Sequence, residues 1–155
     1  MMSSIPDQET IGVIIVDHGS RRRESNEMLL DVVALFERLS DWTIVEPAHM
    51  EIAEPSIAAA FDRCVERGAT TVVVHPYFLL PGKHWHEDIP HLTEEAARKH
   101  PDVKHLVTAP LGMHDLMAQI MDQRIRHCLA CAAGHAEPCE MCRETGHEQC
   151  RFAEA

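Results

Sequence analysis

The sequence predicts an α/β fold: a parallel four-stranded sheet made by four successive strand–helix units, (βα)4, with a Cys-rich C-terminal tail. Two observations carry this reading. Short β-branched runs alternate with stretches whose apolar residues recur at helical spacing, and from residue 129 the composition turns to Cys, Gly, Glu and His without an apolar period. Such alternation favours parallel strands joined by right-handed crossovers. The expected division is an α/β domain over residues 1–128 and an appended tail over 129–155 that is too small for a core of its own.

The first strand is IGVIIVD, residues 11–17, a run suited to burial on both faces of a sheet. Leu29, Val32, Val33, Phe36 and Leu39 then form one apolar stripe, which predicts a helix over 24–40. A second strand over 43–49 contains Pro47, which removes a ladder donor and places the strand at a sheet edge. Pro55 is expected to open the next helix, with Ile57, Phe61, Cys64 and Val65 inward and Gly68 at its end. Val72, Val73 and Val74 centre a third strand over 70–79. A helix with Trp85, Ile89, Leu92 and Ala96 follows and stops before Pro101. The fourth strand covers 103–109, and Met117, Ile120, Met121, Ile125 and Cys128 mark the last helix.

Composition narrows the function. The two strongly apolar stretches, 11–17 and 71–80, fall short of the ~20 residues of a membrane-spanning helix. The segment MMSSIPDQET has neither the basic flank and apolar run of a secretory signal nor the character of a transit peptide, so a cytoplasmic protein is expected. Lys and Arg total 14 against 25 Asp and Glu, and a net charge of -11 opposes nucleic-acid binding.

In open α/β sheets ligands bind beyond the carboxyl ends of the strands. The four segments found there are Asp17-His18-Gly19-Ser20-Arg21-Arg22-Arg23, His49-Met50-Glu51, Pro81-Gly82-Lys83-His84-Trp85-His86 and Leu111-Gly112-Met113-His114, each with an imidazole. Imidazoles converging with a carboxylate suit a divalent transition metal such as iron, cobalt, nickel or zinc. The arginine run opens a helix, where the macrodipole disfavours cations, so local stability does not account for it. Guanidinium groups bind carboxylate or phosphate as a fork, and a basic rim on an acidic protein fits a small acidic substrate.

The tail reads Cys128-x2-Cys131-x7-Cys139-x2-Cys142-x7-Cys150. Two CxxC pairs and one further thiol allow four-thiolate coordination of zinc or of a [2Fe-2S] cluster, and spacing does not separate the two. Cys64 lies on an apolar helix stripe and reads as core.

The strings DHGSRRRESN, VEPAHMEIAEPSI, PGKHWHEDIP, TAPLGMH and RIRHCL, with the Cys-rich end, closely resemble the short class II chelatases of the CbiX type, and among them the plant-type, SirB-like branch. The likeness runs from about residue 11 to residue 151. It implies a chelatase-like fold and a lyase that inserts Fe2+ into sirohydrochlorin to make siroheme, working as a homodimer without a nucleotide; cobalt or nickel insertion is the alternative. It also implies that His18 and His84 take the metal and that Glu51 assists. The macrocycle's carboxylates make Arg21, Arg22 and Lys83 its expected partners. A [2Fe-2S] cluster on Cys128, Cys139, Cys142 and Cys150 is implied as well, with Cys131 departing from the family pattern as an alternative ligand and zinc as an alternative occupant. A four-unit domain offers half the walls that a flat macrocycle needs, and a two-fold partner would supply the rest.

Two rivals follow from the residues. A histidine-phosphatase-like transferase would use the histidine beside Gly19, but that chemistry wants arginine before the histidine, and Asp17 stands there instead. A noncatalytic iron-sulfur or metal-sensing module would make the tail the functional part.

Overall fold

The computed structural model describes residues 9–146 together with 151 and 152. The chain divides into two compact units, Met1–Gly112 and Met113–Ala155. In the first, the elements run β1 (Ile11–Asp17), α1 (Arg23–Leu39), β2 (Ile44–His49), α2 (Ile57–Glu66), β3 (Thr71–Pro76), a π-helical turn (His84–Asp88), α3 (Ile89–Ala97) and β4 (Lys104–Val107). The sheet has the order β2-β1-β3-β4 and every pairing is parallel.

Strand alternation sends successive side chains of β1 to opposite layers. Ile14 and Val16 pack with Phe61, Val72, Val74 and Ile89 under α2 and α3, whereas Val13 and Ile15 meet Leu29 and Val33 of α1. Pro47 does lie on an edge strand. That edge is further tied down by Arg67, whose guanidinium donates to Thr43 O at 2.7 Å, Val45 O at 3.2 Å and the buried Glu46 carboxylate at 2.8 Å.

Several element ends differ from the sequence reading. Pro55 does not open α2: Ser56 is the N-cap, its hydroxyl accepting from Ala59 N at 3.2 Å, and the helix begins at Ile57. Strands β3 and β4 are shorter than expected. Beyond each, one backbone bond still reaches the neighbouring strand, Tyr77 N–H to Val16 O and Thr108 N–H to Val74 O.

The second unit contains α4 (Asp115–Ala132) and α5 (Glu140–Thr145). Helix α4 does not stop at Cys128. Leu129, Ala130 and Ala132 are good helix formers, and the stop is Gly134 at φ 77°, whose N–H reaches Cys131 O. The apolar residues that mark this helix do lie on it, but no residue of α4 is buried, and Met121 and Ile125 are largely exposed. Among the described residues no helix is long and apolar enough to cross a membrane.

Close packing of β1 against α2 rests on Gly12: a Cβ there would lie 2.8 Å from Cys64 Cβ and 3.0 Å from Ala69 Cβ. Cys64 is fully buried, as its place on the stripe implied, and burial pushes its thiol pKa up to about 12. Gly12→Ala should therefore cost about 1–3 kcal/mol in urea-induced unfolding, the range for overpacking a filled core.

Candidate functional site

Strand order creates the site. Neighbouring strands β1 and β3 send their following connections to opposite layers, to α1 and to α3, and a crevice opens at such a switch point beyond the strand ends. His18 follows β1 and His84 lies beyond β3, and their ring centroids are 5.0 Å apart in an edge-on arrangement. Glu51, from the loop after the adjacent β2, places Oε1 2.9 Å from His18 Nε2. The three residues expected to work together are thus grouped on one rim.

Backbone contacts hold this grouping. Met50 N–H donates to Asp17 O at 2.8 Å and Glu51 N–H to His18 O at 3.1 Å, so the first two loops continue the ladder past the strands. Gly19 sits at φ 90°, and a Cβ on it would fall 2.0 Å from Glu51 O. Ile52 adopts φ 72°, rare for a β-branched residue, inside a tight turn closed by Ala53 N–H to Glu51 O at 2.8 Å. Beneath the loops, Asp17 Oδ1 accepts from Gly19 N–H at 3.0 Å and from His49 Nδ1 at 2.5 Å, with His49 only 2% exposed. The His18–Glu51 pair itself is about half exposed, and such a pair contributes at most about 1 kcal/mol. Each backbone bond contributes a similar net amount, so the interlocked backbone, rather than the ion pair, places the side chains.

Proton positions follow from the partners. Gly19 O can only accept, so His18 Nδ1 (3.0 Å away) carries a hydrogen, and Nε2 lies on the side of Glu51, 2.9 Å from Oε1. A divalent metal in that place would meet imidazole and carboxylate together. His84 Nδ1 is 2.7 Å from Asp88 Oδ2, which leaves Nε2 as its ligand nitrogen. Among the described residues no group of three or more His, Cys, Asp or Glu side chains is gathered closely enough to enclose a metal ion.

The other imidazoles beyond the strand ends do other work. His49 is turned to Asp17, His86 packs on Trp85, and His114 caps α4 by accepting from Leu116 N. Arg21, Arg22 and Lys83 are exposed. Among the described residues Arg21 and Arg22 have no acidic partner, while Arg23 pairs with Glu27 at 2.6 Å. An apolar recess of about 350 Å3, lined by Val13, Phe36, Trp42, Val73, His75 and Tyr77 among others, opens on the α1 side of the sheet. Burial lowers the His75 pKa, and its Nδ1 meets Thr108 Oγ1 at 2.7 Å, so the recess is lined by a neutral imidazole.

In the second unit Cys128 and Cys131 lie one turn apart on α4, and Cys139 and Cys142 stand one turn apart at the start of α5. None of these four forms a disulfide, and Cys150 lies outside the described residues. The Cys139 thiol is held below its usual pKa, chiefly by the backbone N–H of Cys142. A cleft of about 440 Å3 lined by Arg124, His127, Cys139 and Glu140 adjoins it.

Gly19→Ala should disrupt the interlock, because a Cβ would collide with backbone at a φ that alanine resists. It should cost well over 1 kcal/mol in denaturant unfolding, whereas Gly82→Ala, whose Cβ meets nothing, should change stability by less than about 0.5 kcal/mol.

The CbiX family profile matches residues 12–128. The chain is 53% identical over 141 residues to the chloroplastic sirohydrochlorin ferrochelatase of Arabidopsis thaliana, covering 91% of this chain and 62% of that protein. It is 32% identical over 120 residues to a sirohydrochlorin cobaltochelatase of Sulfolobus acidocaldarius, covering 77% of this chain and 94% of the relative. The crystal structure of the sirohydrochlorin chelatase SirB from Bacillus subtilis subspecies spizizenii, in complex with cobalt, superposes with a TM-score of 0.72 at 26% identity, covering 76% of this chain and 50% of that one. The chain thus spans less than two thirds of the plant relative and half of the solved SirB chain. With the parallel four-stranded α/β sheet and this match over most of its length, the chain belongs to the CbiX family.

Proposed function

We propose that the protein is a sirohydrochlorin ferrochelatase, a lyase that inserts Fe2+ into sirohydrochlorin to form siroheme. The observation that carries this reading is the His18–Glu51 pair facing His84 across the crevice between β1 and β3. Insertion requires the metal to shed part of its water and the macrocycle to lose its pyrrole N–H protons as the metal–nitrogen bonds form. His18 and His84 supply neutral nitrogens to the arriving metal. The Glu51 carboxylate, exposed beside His18, accepts protons from the ring and passes them to water. Arg21, Arg22 and Lys83 are free to meet the macrocycle's carboxylates from the same rim, as exposed cations close in sequence to His18 and His84.

A second reading, cobalt insertion, is favoured by the cobaltochelatase of Sulfolobus acidocaldarius among the relatives. The ligand set accepts either metal, and supply would choose between them. A homodimer completes the substrate cleft in this reading, which the 50% coverage of the solved SirB chain supports. The catalytic part is residues 1–128, with the tail 129–155 as an addition; the family match over 12–128 supports that division. The working compartment is the cytoplasm, where free thiols stay reduced.

The chemistry of the donors supports a [2Fe-2S] cluster on the tail: cysteines paired at helical spacing outside any disulfide, a thiol pKa lowered at Cys139, and a nearby Arg124 whose pKa is raised chiefly by Glu140 and to a lesser degree by Cys139 and Cys128. Cys128, Cys139 and Cys142 would hold it with Cys150, Cys131 being the alternative ligand. Such a cluster supplies one-electron redox chemistry. Anaerobic reconstitution tests the assignment: two acid-labile sulfides per chain are expected, and stoichiometric zinc without sulfide contradicts it.

Mixing the protein with sirohydrochlorin and Fe2+ and following the macrocycle absorbance tests the function. His18→Ala and His84→Ala should each lower insertion at limiting Fe2+ by about 100-fold or more, on the scale of losing a transition-state contact, with the unfolding midpoint within a few degrees of the wild type. Wild-type turnover in either variant removes that residue from the metal role.

A further inference from the structure

We infer that Asp88 is a positioning residue: it holds His84 through Nδ1 so that Nε2 is presented to the substrate metal. The inference rests on the reading of His84 as a metal ligand and goes beyond it, to the residue that makes the imidazole a ligand of fixed direction. Asp88 Oδ2 lies 2.7 Å from His84 Nδ1, and a carboxylate can only accept, so the hydrogen sits on Nδ1 and the lone pair on Nε2. Asp88 ends the π-helical turn that runs straight into α3, with helical dihedrals of φ -70° and ψ -49°. Here it makes no capping bond and is turned to His84 instead.

The backbone supports that geometry. His84 to Asp88 form a π-helical turn, in which Ile89 N–H reaches back to His84 O, and such turns recur where function needs an irregular helix. The turn is anchored at both flanks: Trp85 Nε1–H donates to Thr108 O at 2.9 Å, and Gly82 O accepts from the N–H groups of Trp85 at 3.1 Å and His86 at 3.0 Å. Ile89, at its end, is fully buried. A rigid frame therefore presents an imidazole that is itself nearly half exposed.

The two candidate ligands then differ in their carboxylates. Glu51 touches the metal-side nitrogen of His18, where it meets the cation and accepts protons, while Asp88 touches the far nitrogen of His84, where it fixes the tautomer and strengthens the ligand without touching metal or macrocycle. His18 needs no such carboxylate because Gly19 O already fixes its Nδ1 hydrogen.

The test uses the full-length chain, with Co2+ as probe. Asp88→Ala, Asp88→Asn and His84→Ala are compared for Co2+ affinity, by the visible absorption of the bound ion, and for the KM values of metal and sirohydrochlorin. Asp88→Ala should weaken Co2+ binding and raise the metal KM by about tenfold or more, with the sirohydrochlorin KM and the unfolding midpoint unchanged. Asp88→Asn, whose amide oxygen can still accept from Nδ1, should lose less. If His84→Ala weakens Co2+ binding while both Asp88 variants match the wild type, the positioning role is overturned and the ligand role of His84 stands. If His84→Ala itself binds Co2+ like the wild type, the ligand reading fails and Asp88 falls with it. Equal rises in both KM values with a lowered midpoint would reduce Asp88 to a support of the fold and also overturn the proposal.

Discussion

The site depends on one close approach, the Glu51 carbonyl lying where Gly19 has no side chain. Everything on the rim follows from it. Because Gly19 can take φ 90° and leave that space empty, the loops after β1 and β2 run together past the strand ends and share backbone bonds. His18 and Glu51 are consecutive consequences of that path. Asp17 and His49, paired in register at the last rung of the ladder, fix its lower side. The strain at Ile52 is tolerated because the surrounding bonds over-determine the turn.

Strand order does the rest. A sheet ordered β2-β1-β3-β4 brings the loop after β3 beside the loop after β1 although 66 residues separate His18 from His84. Neither histidine is held by the other. One is fixed through Nδ1 by a backbone carbonyl and the other through Nδ1 by the Asp88 carboxylate.

The sequence made the sheet legible because β-branched runs and helical stripes are strong periodic signals: β1 matches residue for residue, and Pro47 marked β2 as an edge. It misplaced the start of α2, since a proline immediately before a serine cap looks like a first-turn proline. It ended α4 too soon because the apolar period lapses after Cys128, while the intrinsic helix propensity of Leu129, Ala130 and Ala132 carries the helix on to the stop at Gly134. Of the site, His18, His84 and Glu51 were legible from strand-end placement and family resemblance. The burial of His49 against Asp17 was not, because a ladder register that joins distant residues has no local signature. Asp88 did have one, the i,i+4 spacing to His84, which on an ordinary helix signals a surface pair and here signals an oriented ring.

The central claim is that the loops after β1, β2 and β3 assemble one metal-accepting position between His18, Glu51 and His84. A crystal of the full-length protein soaked with Co2+ and measured at the cobalt edge tests it directly. The account predicts an anomalous peak at coordination distance, about 2.0–2.2 Å, from Nε2 of both histidines, with the His84–Asp88 bond retained. A peak on the cysteines or on other histidines, with the His18–Glu51 contact intact and no density between the two imidazoles, would contradict it.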